Sequence, residues 1–279
     1  MKTAKDDPIK LEESVIPMLQ SELSHTGLKD YYHVFEENIA SLINCKGLEI
    51  AQQKIFDFLS QVTPSKLPVF ICQHVLGERL NFKDGIVFSP HASQINGFIL
   101  IPHFNSIAGD FIDFIPVKKR AWIGTFIGDT NTNPLRKKIY DTLVGTKDWL
   151  INDTGVWHFS KSPDQREKDK ESYINSLQNS IFCLCPPGTG AGTLRLWESI
   201  SCGTIPVIFG NTLLPKELEP LAVRIDTIDS KDVFLQNLHE RGTNVNFRAA
   251  QLYLKYWSNF ANKKIYKNIV QFLDEKLRK

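Results

Sequence analysis

The chain has 279 residues, of which 42% are hydrophobic and 23% charged, with a formal net charge of +2. That balance is globular, with room for one large core or two small ones, and it offers no electrostatic case for nucleic acid or an anionic membrane as main partner. The five cysteines suit neither a disulfide framework nor a zinc site, and the N-terminus lacks an apolar signal core. The expectation is a soluble, cytoplasmic protein without a membrane anchor.

In chain order, helical spacing comes first: Leu11, Val15, Ile16 and Leu19, then Tyr32, Phe35, Ile39 and Leu42, then Ile50, Ile55, Phe58 and Leu59. Three short apolar runs follow, Leu67–Cys72, Gly85–Phe88 and Gly97–Ile101, and each reads as a buried strand. Continuous apolar runs favour a sheet covered on both faces.

After Asp110–Pro116 a second series begins. Ala121–Phe126 reads as a strand, Pro134–Leu143 as a helix with an early proline, and Asp148–Ile151 as a strand. Ser172–Leu177 reads as a helix, Ile181–Cys185 as a strand, and Leu194–Ser201 as a helix. Ile205–Phe209 and Val223–Ile225 are strands, and Lys231–Arg241 and most of Asn246–Lys279 are helical, with Asn246 as an N-cap. The charge-dense Lys161–Glu171, KSPDQREKDKE, reads as a solvated loop, or alternatively as a lid. Basic residues cluster at Lys118–Lys119–Arg120 and Arg136–Lys137–Lys138; each cluster reads mainly as a solvated face, with one member free to reach an anion. Strand–helix alternation predicts an α/β protein with parallel, doubly wound sheets. The expected division is residues 1–115 and 116–279, with the last helix returning to the first half.

The most informative stretch is Ser180–Asn211, SIFCLCPPGTGAGTLRLWESISCGTIPVIFGN. Its strand runs into Pro186–Pro187–Gly188, which cannot continue a ladder. Gly188, Gly190 and Gly192 let a ligand approach the backbone closely. The helix that follows points its N–H groups and positive dipole end at the loop, which suits a diphosphate. Arg195 and Glu198, three residues apart, share a face of that helix. Arg195 can donate to a phosphate or a base carbonyl, and Glu198 can accept two ribose hydroxyls. An Arg–Glu surface pair is the bland alternative. The glycines also approximate G-x-G-x-x-G, but the third would fall on Thr193 and the loop lies late in the chain.

FCLCPPGTGAGTLRLWESISCGTIPVIFGN resembles the C-terminal signature of the exostosin family of glycosyltransferases. Asp113–Phe114–Ile115–Pro116 and Arg120–Gly128 are similar to the family's upstream landmark, and Arg136 falls where the family has an arginine at the start of the next helix. The resemblance implies a glycosyltransferase-B architecture, two Rossmann-like domains with a cleft between them and the nucleotide-sugar held by the second. It implies an inverting enzyme that uses a UDP-sugar, with a donor site of Thr125, Gly128, Arg136, Pro187, Gly188, Thr193, Arg195 and Glu198. The compact size is most similar to the exostosin-like xylosyltransferases of large algal viruses, which implies UDP-xylose as donor and a glycan as acceptor.

No Asp-x-Asp occurs in the chain, so no metal or other cofactor is expected; the helix end and Arg136 or Arg195 would stabilise the leaving UDP. An inverting transfer needs a general base, expected on a loop after a strand of the first domain. Glu78 is the first candidate, followed by His91 and His74. Trp157 and His158 are candidates for a wall beside the sugar. The competing functions are an NAD-dependent oxidoreductase built on the glycine loop and a nucleotide-binding protein without activity.

Overall fold

The structure is a computed structural model that describes residues 10–93, 95–103, 115–155, 162–216, 218–242 and 265–279. It comprises two units, Met1–Phe104 with Asn259–Lys279, and Asn105–Ser258.

The first unit contains α1 (Lys10–Thr26), β1 (Tyr32–Val34), α2 (Ile39–Lys46), α3 (Leu48–Gln61), β2 (Leu67–Ile71), β3 (Ile86–Ser89) and β4 (Ile99–Leu100). The strands form a parallel sheet in the order β1-β2-β3-β4. Val69, Ile71, Ile86 and Phe88 face a core with Leu11, Val15 and Leu19 of α1 and with Ile265, Ile269 and Leu273 near the C-terminus. Phe70, Cys72 and Val87 face the opposite core, with Ile39, Leu42, Ala51 and Ile55 of α2 and α3. Both faces being covered, the strands carry apolar residues at successive positions.

One stretch departs from the sequence expectation. Tyr32–Val34 is a strand, paired in parallel with Leu67–Val69, and the helix begins only at Ile39, where the Asn38 side chain accepts from the Ser41 N–H. Three residues are too few to display a period of two. The strand exists because β2, distant in sequence, supplies its hydrogen bonds.

The second unit contains β5 (Trp122–Gly128), α4 (Pro134–Leu143), β6 (Trp149–Asp153), α5 (Pro163–Gln178), β7 (Ser180–Cys185), α6 (Leu194–Ser201), β8 (Ile205–Phe209), β9 (Val223–Ile225) and α7 (Lys231–Gly242). Its parallel sheet has the order β6-β5-β7-β8-β9. The chain moves outward from β5 to β6 and then returns to the other side of β5 with β7. That reversal makes a topological switch point at the carboxyl ends of β5 and β7, where open α/β sheets bind ligands.

A second correction concerns the charge-dense segment. From Pro163 it is helix, not loop: Ser162 caps α5 by accepting from the Gln165 N–H, and Pro163 occupies the first turn, where a missing N–H costs little. The outer face is exposed, and only a few later residues such as Ser176 and Leu177 are buried, so the apolar period is hard to see. The last helix, α8 (Ile265–Leu277), packs on α1 in the first unit, and Leu273 there accepts a 2.8 Å hydrogen bond from the Tyr32 hydroxyl. Asn246, Trp157 and His158 lie outside the described residues.

Candidate functional site

At the switch point, β5 ends in Gly128–Asp129 and β7 ends in Pro186–Pro187–Gly188. Two arginines hold these ends together. Arg136, in the first turns of α4, donates through Nε to the Pro187 carbonyl (3.0 Å) and through Nη1 to the Asp129 carbonyl (3.4 Å). Arg195, on α6, donates through Nη2 to the Ile127 carbonyl (2.7 Å), and its guanidinium lies over the Phe126 ring, 4.8 Å from the centroid.

Two glycines at the switch point are explained by the same arginines. A Cβ at Gly188 would lie 2.9 Å from Arg136 Nη2, and one at Gly128 would collide with Arg195 Nη2. Asn133 caps α4 by accepting from the Leu135 N–H, and it donates through Nδ2 to the Gly188 carbonyl (3.1 Å). The loop is therefore braced from both sides before any ligand arrives.

Arg195 is 8% exposed, and its Nε and Nη1 are buried without a hydrogen-bond partner. An unsatisfied buried donor costs about 1–3 kcal/mol, more when charged. Phosphate oxygens would relieve that cost by accepting from these nitrogens, which donate along different edges of the guanidinium. Burial opposes the charge, but Tyr173, Cys183, Cys185 and Glu198 outweigh it and hold the Arg195 pKa above the ordinary guanidinium value. Burial and the nearby Arg195 push that of Arg136 down to about 10. Both remain cations at neutral pH, and two adjacent cations favour an anion between or beside them.

Glu198, also 8% exposed, accepts a 2.8 Å hydrogen bond from the Tyr173 hydroxyl. Burial raises its pKa, while Tyr173 and Arg195 act in the opposite direction. The bland alternative of a solvated Arg–Glu surface pair is thereby removed, because both side chains are buried.

Of the residues expected at the donor site, Gly128, Arg136, Pro187, Gly188 and Arg195 converge on the switch point, and Glu198 lies on the same helix as Arg195. Thr193 directly precedes α6 and is 4% exposed, with no side-chain capping bond. Thr125 is different. It is 1% exposed within β5 and donates its hydroxyl to the Leu150 carbonyl (3.1 Å), which ties β5 to β6. Asn133 and Tyr173 were missed in the sequence. The capping dipeptide Asn133–Pro134 marks the first, whereas Tyr173 sits in the stretch dominated by charge.

The basic clusters also separate by role. Arg120 is 9% exposed and bonds the carbonyls of Ile115, Ser180 and Gly203 and the Thr204 hydroxyl, so it fastens the sheet instead of reaching solvent or an anion. Lys137 and Lys138 pair with Asp141 and Asp229 on the surface.

In the first unit, the candidate bases occupy different environments. Glu78 is exposed on a 3-10 turn over Val75–Arg79 and has no hydrogen bond or ion pair among the described residues. His74 uses both ring nitrogens: Nδ1 accepts from the Leu76 N–H (3.1 Å), so Nε2 donates to Asn44 Oδ1 (3.0 Å). Burial lowers its pKa. His91 follows β3, its ring 4.8 Å from that of His103, which follows β4. Burial, with His74 nearby, pushes the His91 pKa down to about 4, opposed by a hydrogen bond to the Gln73 backbone. His103 is 8% exposed and its Nε2 is buried without a partner. Beneath them lies a residue the sequence reading did not single out. Glu12 of α1 is fully buried and accepts from the Gln73 N–H (2.9 Å) and the Ala40 N–H (3.2 Å). Burial raises its pKa to about 8, against those bonds and one from the Ile39 backbone.

Residues 78–238, more than half of the chain, match the exostosin GT47 domain. A 55-residue stretch, 19% of the chain, is 46% identical to Exostosin-1 of Drosophila melanogaster and covers 7% of that protein. A 48-residue stretch is 40% identical to Exostosin-1b of Danio rerio and covers 6% of it. The matched stretches thus span under a tenth of these relatives' lengths. Among solved structures, the apo lipopolysaccharide outer core galactosyltransferase WaaB aligns over 95% of this chain and 96% of its own, at 13% identity and a TM-score of 0.50. That likeness concerns the fold, which is of the glycosyltransferase-B type with two Rossmann-like units. No helix among the described residues is long and apolar enough to cross a membrane. On its domain match, the chain belongs to the exostosin GT47 family of glycosyltransferases.

Proposed function

We propose that this chain transfers a sugar from a UDP-sugar, UDP-xylose being the first donor to test, to a hydroxyl of a glycan acceptor, with inversion and without a metal. The observation that carries the reading is Arg195: a buried guanidinium with two unpartnered donors, at a switch point where Gly128 and Gly188 let the two guanidinium groups lie directly on the backbone. The diphosphate pairs with Arg195 and Arg136, and the ribose hydroxyls with Glu198. Metal independence rests on the absence of Asp-x-Asp and on these two cations, which can neutralise the leaving diphosphate.

In the reaction, the acceptor oxygen attacks the anomeric carbon, the bond from that carbon to the diphosphate oxygen breaks, and UDP leaves with the electron pair. The acceptor proton passes to a base of the first unit. Among the three candidates we assign His91. A histidine that donates through one ring nitrogen carries its lone pair on the other, and burial keeps His91 neutral at physiological pH. His74 has committed both nitrogens, and Glu78 stands exposed with no hydrogen bond to orient it among the described residues.

Thermal-shift titration and a hydrolysis screen of UDP-sugars test the proposal. UDP should stabilise the protein, one UDP-sugar should be turned over in the presence of EDTA, and NMR of the product should show the inverted anomer. Stabilisation by NADH but not UDP would overturn the reading. Binding of UDP without turnover of any UDP-sugar over a broad acceptor set would leave a binding protein in its place.

A further inference from the structure

α5 contributes a residue to this site that neither the loop motif nor the helix after it contains. Tyr173 reaches the Arg195–Glu198 face from a separate element, and its hydroxyl donates to Glu198 Oε2 at 2.8 Å. Its phenol also lies in the electrostatic field of Arg136 and Arg195. One side chain therefore connects all three charged residues of the proposed donor site.

We infer that Tyr173 is a positioning residue of the donor site: its hydroxyl holds Glu198 in one orientation and in its ionised form, so that the carboxylate can accept ribose hydroxyls. The inference rests on the proposed assignment of Glu198 to the ribose.

Three properties of the Tyr173–Glu198 pair support this role. A carboxylate buried as deeply as Glu198 tends to take up a proton, and a protonated carboxyl accepts hydroxyl hydrogen bonds poorly. The groups acting on it are Tyr173 from α5, Arg195 from α6, Cys183 from β7 and Cys202 after α6. Among the described residues, Tyr173 alone donates a hydrogen bond to the carboxylate, while Arg195 acts through its charge. Second, Tyr173 remains a donor at every working pH, because burial and then Glu198's charge hold its own pKa well above the ordinary phenol value. Third, a carboxylate has about four acceptor sites. The tyrosine bond occupies one of them and fixes the plane of the group, leaving Oε1 and the remaining lone pair of Oε2 for ligand hydroxyls.

The test is calorimetric binding of UDP, 2′,3′-dideoxy-UDP and inorganic pyrophosphate to the whole chain across pH 5–9, for wild type, Tyr173→Phe, Glu198→Gln and the double variant. Tyr173→Phe should weaken UDP about tenfold, the scale of one lost hydrogen bond to a charged group. It should leave pyrophosphate unchanged, which also reports an intact fold. UDP affinity should fall as pH is lowered through the Glu198 pKa, and in Tyr173→Phe that fall should begin at higher pH. In the Glu198→Gln background the tyrosine substitution should add nothing. In wild type, 2′,3′-dideoxy-UDP should lack the Glu198 pH dependence, a measurement that needs no variant. Equal losses for UDP and pyrophosphate, an unmoved pH profile, or the same pH dependence with 2′,3′-dideoxy-UDP would each overturn the inference. Failure of wild type to bind UDP while it binds pyrophosphate would instead remove the reading of Glu198 on which it rests.

Discussion

Gly128→Ala isolates how the backbone and the buried arginine share space. Gly128 is not among the glycines with positive φ, so alanine is compatible with its backbone conformation. The obstacle is the added Cβ, which would collide with Arg195 Nη2 and lie 3.6 Å from Phe126 Cζ. An arginine tip is ordinarily free to move. This one is held by its bond to the Ile127 carbonyl and its seat over Phe126. Moving it forfeits a hydrogen bond from a charged group, about 1.5–3 kcal/mol, and part of a desolvated cation–π contact of up to about 2 kcal/mol. Displacement also carries Nε and Nη1 away from the place where a diphosphate would meet them. We expect UDP affinity to fall by about ten- to a hundredfold, with a stability loss of about 1–3 kcal/mol. Isothermal titration with UDP and urea denaturation measure the two quantities separately. A stability loss of that size with unchanged UDP affinity would refute the argument, because it would make Gly128 a packing glycine with no bearing on the ligand.

Four further outcomes are expected from named environments. Replacement of His91 by Gln should abolish turnover while leaving UDP affinity within about twofold, since a group on the first unit is assigned only the proton transfer; Glu78→Gln should keep a near-normal rate, and the reverse result would move the base role to Glu78. With the His91 pKa at about 4, the acid limb of kcat/KM should appear near that pH and not near 6.5, because protonation removes the base. Glu12 has its folded pKa raised from 4.5 to about 8, so the native state binds the extra proton between those values and stability falls as pH rises through that window. In Glu12→Gln the urea midpoint should lose that slope, and at pH 5 the variant should be less stable by about 1–3 kcal/mol because one backbone N–H loses its acceptor; an identical slope in both proteins would show that Glu12 is not its source. Finally, Arg120→Met should cost about 2–4 kcal/mol by stranding the Ser180 and Gly203 carbonyls, yet leave UDP affinity unchanged in the folded protein. A drop in affinity measured below the unfolding transition would place Arg120 in the ligand's reach after all.

The parts of the chain read correctly from sequence are those whose signal is local. Strand, proline turn, glycine loop and helix follow one another within Ser180–Ser201, and each residue type there is constrained by its own backbone or by its neighbours three and four positions on. The same holds for Pro134–Leu143, where a first-turn proline announces the helix. Tyr32–Val34 failed because its partner strand is remote, and Pro163–Glu171 because its polar outer face hides a helix whose buried residues come late. Nothing in the sequence context of Thr125 says that its hydroxyl is given to the Leu150 carbonyl.

By itself, the sequence determined the α/β class, the parallel sheets and the glycine loop with Arg195 and Glu198 one helical turn apart, because alternation, turn residues and helical spacing are properties of adjacent positions. Only the tertiary structure decided what those residues meet. It packed Arg195 against Phe126 and the Ile127 carbonyl, and set Arg136 on the Pro187 carbonyl. It brought Tyr173 to Glu198 and buried Glu12 under the ends of the first sheet. Such contacts depend on the order of strands in a sheet. The reversal between β5 and β7, which brings two remote loops to one point, is a consequence of chain topology that no local pattern records.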